Sequence, residues 1–232
     1  MERTPGCAEC PLRGKHLFCN MDDNAIEKFD NIGTSVQFTR GAIIFREGDN
    51  CGSVHVICSG RVKLSATSRE GRTLILKIAR AGEVLGLSAA LAGQAYEVTA
   101  ETVEPCRLKT IRRQALLDFM DRNPDASLRA ARTVAQEYKA AFCEVRRLAL
   151  PATASGRVAG LLLDWSRDQA LPTGPQGRCV MTLTHEEIAS MTATTRETVT
   201  RVLGQLKRDQ LISIRGASLT VLQPQALERL AV

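Results

Sequence analysis

The chain has 232 residues, enough for about two domains that each bury their own core. A net charge of +6 with a pI near 9.0 is compatible with an anionic partner but does not indicate a polybasic protein. No segment approaches the ~20 apolar residues of a membrane span, and no apolar run precedes the first cysteines, so we expect a cytoplasmic protein without membrane contact.

Residues 1–30 are predicted to form a polar arm that carries cysteines. Cys7, Cys10 and Cys19 give a C-x2-C-x8-C pattern. Two thiolates at C-x2-C spacing can bind one metal centre, and a third nearby makes most of a four-thiolate set. In a reducing compartment, such cysteines are more often ligands or reactive thiols than disulfides. The pattern leaves open an iron–sulfur cluster, a zinc ion, a thiol–disulfide switch or uncommitted cysteines, and His16 is an alternative ligand within the arm.

Residues 31–123 are predicted to form a β domain. From Val36 to Ile111, short alternating segments such as Val54–Ile57 are punctuated by glycines. The predicted turns fall at Gly41, Gly48, Gly60, Gly71 and Gly82. Short strands at this spacing indicate an antiparallel barrel or sandwich. Cys58 alternates with strand residues and has no partner at ligand spacing, so the pattern favours a small packing residue there.

Residues 124–150 are predicted to form one long helix that starts at Pro124. Its apolar positions alternate at spacings of three and four residues, which is a heptad pattern. The predicted seam consists of Leu128, Ala131, Ala135, Tyr138, Phe142, Val145 and Ala149. We interpret it as the contact between two copies of the chain. The reason is that the residues after 150, described next, predict a helix-turn-helix, and helix-turn-helix proteins that read half-sites generally need two-fold symmetry. The alternative is a single helix packed on the β domain.

Residues 151–232 are predicted to form a winged helix. A first helix over Arg157–Ala170 is followed by a loop at Pro172–Pro175. Thr184 is placed to cap a second helix, which residues 192–194 interrupt, and Thr195 is placed to cap a third. Apolar runs on either side of Gly216 then predict a β-hairpin.

The third helix of this domain has the features of a DNA-reading helix. Val199, Val202, Leu203 and Leu206 form its predicted buried stripe, and the predicted DNA-binding residues are Thr195, Arg196, Glu197, Thr200, Arg201 and Lys207. Arginine bonds guanine O6 and N7, and glutamate accepts from cytosine N4. Five basic residues against two acidic ones between Thr194 and Gly216 would contact phosphates. The alternative is an ordinary surface helix in which Glu197 and Arg201 form an i, i+4 pair.

A glycine-punctuated β domain, a heptad helix and a winged helix, in this order, resemble the CRP/FNR family of bacterial transcription regulators over nearly the whole chain. The most specific stretch is residues 196–203, RETVTRVL, where the family's readers of a TGA core would be Glu197 and Arg201. The resemblance implies an α+β fold with an antiparallel β-roll sensor domain like cyclic-nucleotide-binding domains, a long dimerisation helix and a winged helix-turn-helix. It also implies a homodimer that binds double-stranded DNA, RNA polymerase as a further partner, and no enzymatic activity.

The resemblance also bears on what the β domain senses. Gly82–Gly86 resembles the turn of the family's cyclic-nucleotide binders, but Gln94–Val98 lacks the Arg-Ser pair that holds the phosphate there, so cyclic AMP is not expected. Cys106 matches the place of the remote cluster cysteine in the oxygen-sensing FNR branch. By this resemblance Cys7, Cys10, Cys19 and Cys106 would hold an oxygen-labile [4Fe-4S] cluster, although the third spacing is longer here than in the best-known members. The alternatives on the same scaffold are sensors of haem, nitric oxide, a small molecule or thiol redox state. An iron–sulfur redox protein is the alternative from another class.

Overall fold

The computed structural model describes residues 6–14, 18–167, 178–180, 183–216 and 218–231. Its internal contacts divide the chain into two compact units. The first comprises Met1–Gly71 and Leu76–Ala140, and the second comprises Arg72–Ile75 and Ala141–Val232. The predicted fold class is confirmed, because antiparallel strands, a long helix and a helix-turn-helix follow one another in the expected order.

Two four-stranded sheets form the β-roll of the sensor domain. After helix α1 (Asp23–Asn31), the strands are β1 (Gly33–Phe38), β2 (Ile43–Phe45), β3 (Ser53–Ser59), β4 (Arg61–Thr67), β5 (Thr73–Arg80), β6 (Val84–Leu85), β7 (Thr99–Thr102) and β8 (Cys106–Arg112). The sheet orders are β1-β8-β3-β6 and β2-β7-β4-β5. Helix α2 (Leu87–Ala92) lies between β6 and β7, and α3 (Arg113–Arg122) follows β8.

The five predicted turn glycines all have a positive φ, which confirms the predicted turns. The requirement is strictest at Gly60, between β3 and β4, where φ is +88°. A Cβ atom there would lie 2.6 Å from Sγ of Cys106 and 2.7 Å from the carbonyl oxygen of Pro105. Only glycine fits this turn without displacing β8.

The sheet that contains β3 and β8 separates two hydrophobic clusters. Successive side chains of a strand point to opposite faces. On one face, Val54, Val56 and Ile111 pack with the helices α1 and α3. On the other, Ile57 and Leu108 fill the interior of the roll.

Helix α4 (Pro124–Ala149) begins at the proline that the sequence predicts. One of its faces is buried in the core through Ala126 and Ala130. The predicted heptad seam lies on another face and is exposed, with Leu128 at 50%, Tyr138 at 71%, Phe142 at 59% and Val145 at 63%. Ala131 and Ala135 of the seam are exposed as well. One face of this helix is therefore an apolar stripe at the surface of the single chain.

The second unit contains helix α5 (Ala154–Arg167), β9 (Arg178–Val180), α6 (His185–Met191), α7 (Arg196–Arg208), β10 (Ile212–Arg215), β11 (Ser218–Val221) and α8 (Pro224–Leu230). Helix α5 starts three residues before the predicted Arg157, because Thr153 Oγ1 caps it by accepting from the N–H of Gly156 at 3.1 Å. The strand β9 and the short helix α8 were not predicted. The predicted loop at Pro172–Pro175 and the histidine at position 16 lie outside the described residues. None of the helices that the structure describes is long and apolar enough to cross a membrane.

His55 gives the sensor domain a defined sensitivity to acid. Burial lowers its pKa from 6.5 to about 4, and Nδ1 lies 3.0 Å from Oγ1 of Thr110. Between these pH values the unfolded chain binds a proton that the folded chain excludes. The contribution of His55 to the unfolding free energy is therefore fully present above pH 6.5. It is lost as the pH drops towards about 4, and the total loss is roughly 3 kcal/mol.

We expect the variant His55→Gln to lose this part of the acid sensitivity. The measurement is urea unfolding followed by circular dichroism at about pH 7 and about pH 4.5, for the wild type and the variant. An equal loss of unfolding free energy in both proteins would assign the acid sensitivity to other groups.

Candidate functional site

The first helix of the helix-turn-helix, α6, starts at the predicted cap. Thr184 Oγ1 accepts from the N–H of Glu187 at 3.2 Å, and the Glu187 carboxylate accepts from the N–H of Thr184 at 2.8 Å. This reciprocal pair is a capping box, and it satisfies two backbone donors that a helix start otherwise leaves unpaired.

The turn of the motif is held by buried polar contacts. Ala193 has a φ of 48°, which is unusual for a residue other than glycine. The Thr192 hydroxyl is fully buried and donates to the carbonyl oxygen of Ile188 at 2.8 Å. Arg157 Nε donates to the carbonyl oxygen of Thr192 at 2.8 Å, and Arg147 donates to that of Met191 at 3.2 Å. Neither arginine's role could be predicted from the sequence, because both contacts are tertiary.

Helix α7 presents the predicted reading residues to solvent. Thr195 caps it by accepting from the N–H of Thr198, as predicted. The predicted stripe is buried, namely Val199, Val202, Leu203 and Leu206. The predicted DNA-binding side chains are all exposed, namely Thr195, Arg196, Glu197, Thr200, Arg201 and Lys207. The buried apolar face of α7 therefore orients its polar face towards solvent.

Two of these side chains, Glu197 and Thr200, form hydrogen bonds within the motif. Hydrogen bonds from its own N–H and from the Thr195 hydroxyl lower the pKa of Glu197, so its carboxylate is an acceptor at neutral pH. Thr200 Oγ1 lies 2.8 Å from Nδ1 of His185 and donates to the carbonyl oxygen of Arg196 at 3.0 Å. His185, which the sequence marked only as a residue at a helix start, therefore belongs to this surface.

The predicted β-hairpin is confirmed as β10 and β11. Ile212 pairs with Val221 and Ile214 with Leu219, and Gly216 turns the chain with a φ of 59°. The strand β9 pairs with β11 and completes a three-stranded sheet. Helix-turn-helix and hairpin together form a winged helix.

The N-terminal arm is an ordered structure in its described part. Cys7–Glu9 and Phe18–Asn20 each form a turn of 3₁₀ helix. The N–H of Gly14 donates to the carbonyl oxygen of Cys19 at 3.1 Å and joins the two halves. The Arg13 guanidinium donates to the same carbonyl oxygen at 3.1 Å.

The arm is attached to the β-roll by an ion pair and by an aromatic side chain. The Asp30 carboxylate accepts from the N–H of Cys7 at 3.1 Å and pairs with the buried Lys109 of β8. Burial opposes the charge of Asp30, but the bonds from Lys109 and Cys7 outweigh it and hold its pKa below the usual value. Phe18 is buried and stacks on Phe29 with ring centroids 5.7 Å apart.

Four thiols gather beneath this arm. Cys7, Cys10 and Cys19 of the arm and Cys58 of β3 line one small cavity together with Lys109. An adjoining cavity of about 250 Å³ shares Cys7, Cys10, Cys58 and Lys109 and adds Arg107. Burial raises the pKa of Cys7 to about 12 and that of Cys19 to about 11. Cys58, which the sequence predicts to be a small packing residue, lies on the side of the sheet that the arm covers.

Cys106 is not brought to this cavity. It is buried at 3% exposure in the interior of the roll, and its thiol donates to the carbonyl oxygens of Arg61 and Glu104, each at 3.2 Å. Its neighbours on β8, Arg107 and Lys109, line the larger cavity under the arm. The alternation of the strand therefore separates Cys106 from the other three predicted ligands. Among the described residues, no three Cys, His, Asp or Glu side chains converge as a set for a single metal ion.

The turn that resembles a nucleotide site lacks a cationic fork. Tyr96 of the Gln94–Val98 segment is buried, stacks on Phe45 with ring centroids 3.8 Å apart and donates to the carbonyl oxygen of Ser53. A cavity of about 290 Å³ beside the turn is lined by Lys77, Glu83 and Glu137 among others. Lys77 is already paired with Glu83.

Comparison with known proteins agrees with this architecture. The Crp-like helix-turn-helix domain model matches residues 156–230, and the cyclic nucleotide-binding domain model matches residues 35–123. The global nitrogen regulator of Synechococcus elongatus is 30% identical over 198 residues, which cover 83% of this chain and 87% of that protein. The CRP-like cAMP-activated global transcriptional regulator of Mycobacterium tuberculosis is 26% identical over 215 residues, covering 93% and 96%. The solved structure of FixK2 from Bradyrhizobium japonicum shares the fold, with a TM-score of 0.76 at 22% identity over 87% of this chain and 98% of that one.

Fold, site and comparisons define a DNA-binding regulator. The chain belongs to the CRP/FNR family of transcription regulators, which are not enzymes. The two relatives carry different descriptions, one naming nitrogen and the other cAMP, so the family alone does not select an effector.

The attachment of the arm can be tested at Asp30. We expect Asp30→Ala to lower the unfolding free energy by about 1–3 kcal/mol, because it leaves the ammonium of Lys109 buried without its carboxylate. The matched control is Asp23→Ala, since Asp23 pairs with Arg13 but is fully exposed, and such pairs contribute about 0–1 kcal/mol. Urea unfolding provides the measurement, and equal losses in the two variants would contradict the role given to the buried pair.

Proposed function

We propose that this regulator binds a two-fold DNA operator as a homodimer and responds to oxygen or redox state through an iron–sulfur cluster held by its arm. The observation that carries the sensing part is that the arm thiols Cys7, Cys10 and Cys19 and a further thiol of the β-roll line one cavity beside Lys109. The cysteine pattern of the sequence and the geometry of the arm support the same interpretation.

The residues around this space suit a cluster. Four thiol donors are the ligand set of a [4Fe-4S] cluster. Lys109 and Arg107 line the adjoining cavity and would compensate the negative charge of bound thiolates. Zinc needs four ligands that converge on one ion, whereas a cluster accepts thiolates at separate iron corners, so thiols spread around a cavity favour the cluster. When bound, the cluster would supply the sensitivity to oxygen.

The arm shares a core with the dimerisation helix. Phe29, on which Phe18 stacks, also contacts Phe119 of α3, with ring centroids 5.5 Å apart. The same hydrophobic cluster includes Ala126 and Ala130 of α4. Release of the arm would therefore change the packing of the helix whose other face carries the seam. A coupling free energy of about 1–3 kcal/mol suffices to change occupancy of an operator several-fold or more.

The homodimer is proposed from the apolar stripe of α4. Its exposed apolar side chains, with Ala131 and Ala135 between the larger ones, repeat at spacings of three and four residues from Leu128 to Val145, as in the helices of a two-stranded coiled coil. Pairing of two copies would set the spacing of their recognition helices, which a two-fold operator demands at about one turn of DNA. RNA polymerase remains the further partner expected from the family resemblance.

The DNA-reading role is tested with Arg201→Ala. We expect it to weaken binding to a duplex with two-fold TGA half-sites by roughly 10- to 100-fold, because a bidentate base contact contributes about 1–3 kcal/mol of discrimination. The control Arg122→Ala removes the same charge at an exposed position at the end of α3 and should leave binding unchanged. Lys207→Ala should instead weaken binding to all sequences and reduce the salt dependence by about one unit of slope.

Fluorescence anisotropy of the labelled duplex measures the affinities of these variants, and it also separates DNA binding from sensing. Wild-type protein prepared without oxygen is expected to bind the operator more tightly than the same sample after exposure to air. Equal affinity in both states would remove the oxygen-sensing part of the proposal. Unchanged binding by Arg201→Ala would contradict the reading role of that residue.

The homodimer is tested with Tyr138→Glu. We expect this charge within the seam to raise the dimer dissociation constant by about 30-fold or more, as loss of a central aromatic contact costs about 2 kcal/mol or more. Lys139→Glu changes the adjacent exposed residue, off the seam, and serves as the control. Sedimentation equilibrium gives both constants, and a dimer of unchanged stability in Tyr138→Glu would place the contact elsewhere.

A further inference from the structure

We infer that Cys58, and not Cys106, supplies the fourth thiolate to the metal centre of the arm. This inference rests on the proposed function, since it names a ligand of the same centre. It departs from the ligand set that the family resemblance implies, because in this chain a different strand places a thiol under the arm.

The placement follows from strand alternation. Cys58 lies two residues after Val56, and both face the side of the sheet on which the arm and α1 pack. Cys106 lies two residues before Leu108, and both face the interior of the roll. Cys58 thus lines the cavity with all three arm cysteines, whereas the sheet itself stands between Cys106 and the arm.

A β-bulge lies at Cys58. In the pairing of β3 with β8, Ile57 is opposite Leu108 and Ser59 is opposite Arg107, so Cys58 is the extra residue without a partner in the register. Bulges bend a strand, re-aim a side chain and occur often beside functional sites. The irregularity in this ladder therefore falls on the β3 cysteine that lines the cavity with the arm thiols.

The groups that surround the thiols of Cys58 and Cys106 differ in charge. Arg107 and Lys109 line one cavity together with Cys58, so two cationic side chains lie on its side of the sheet. The thiol of Cys106 instead faces the carbonyl oxygens of Arg61 and Glu104. Two carbonyl oxygens accept from an S–H group but would repel a thiolate. Cys106 is thereby suited to remain a protonated core residue.

Cys106 is also held in place by close packing. Its Sγ lies so near Gly60 that a Cβ added there would be 2.6 Å away. To reach the arm, the side chain would have to cross a strand that pairs with β1 on one side and β3 on the other. Cys58 requires no such rearrangement.

The experiment compares single substitutions in the full chain purified without oxygen. Cys58→Ala is the test variant, Cys106→Ala tests the alternative ligand, and Cys51→Ala controls for loss of a half-buried thiol outside the cavity. Iron, zinc and acid-labile sulfide are measured per chain, together with the cysteinate–iron charge-transfer absorption. Circular dichroism melting shows whether each variant is folded. Cys106→Val replaces Cys106→Ala if the latter is unfolded, and Cys58→Ser replaces Cys58→Ala in the same case.

We expect about four irons and about four sulfides per chain in the wild type, Cys51→Ala and Cys106→Ala, and less than about half of that in Cys58→Ala. A folded Cys58→Ala variant that is loaded like the wild type overturns the inference, and so does a folded Cys106→Ala variant that is empty. A wild type that binds zinc, which Cys58→Ala loses, supports the ligand set while rejecting the iron–sulfur proposal. A wild type without iron or zinc rejects both.

Discussion

The two-residue period of β3 and β8 determines which side chains meet under the N-terminal arm. One face of these paired strands is covered by α1, α3 and the arm, and the other closes the interior of the roll. A residue shift of one along either strand would exchange the two faces completely. Because Gly60 ties the turn after β3 to the start of β8, the register has little freedom to change. The position of every thiol relative to the arm depends on this constraint.

The ion pair between Asp30 and Lys109 determines the charge of the sheet face that the arm covers. Lys109 emerges from the middle of β8 and is almost fully buried, so its ammonium needs a compensating anion. Asp30, in the last turn of α1, meets this need and at the same time accepts from the backbone of Cys7. The ammonium lies beside the thiol cavity as well. One cation thus attaches the arm and sets the charge of the space beneath it.

The features that the sequence predicted correctly are local ones. Caps at Thr184 and Thr195, the start of α4 at Pro124 and the positive-φ glycines each depend on a few neighbouring residues. The cavity under the arm depends on which face of the sheet the arm covers, and spacing in a single sequence does not contain that information. Cys58 was therefore predicted to be an ordinary strand residue, although its alternation with Val54 and Val56 was visible in the sequence. For the same reason, the sequence did not predict that Arg147 and Arg157 donate to carbonyl oxygens of the turn.

The contact of Arg147 with Met191 has a practical consequence for exchanging domains between regulators. Arg147 lies in the last turn of α4, before the loop that starts at Leu150, yet its guanidinium holds the carbonyl oxygen that ends the first helix of the DNA-reading motif. A chimera joined within residues 150–153 would transfer the motif and leave this arginine behind. The junction that preserves the turn lies about two helical turns earlier, before Glu144, so that the Glu144–Arg147 pair moves with the helices that it supports.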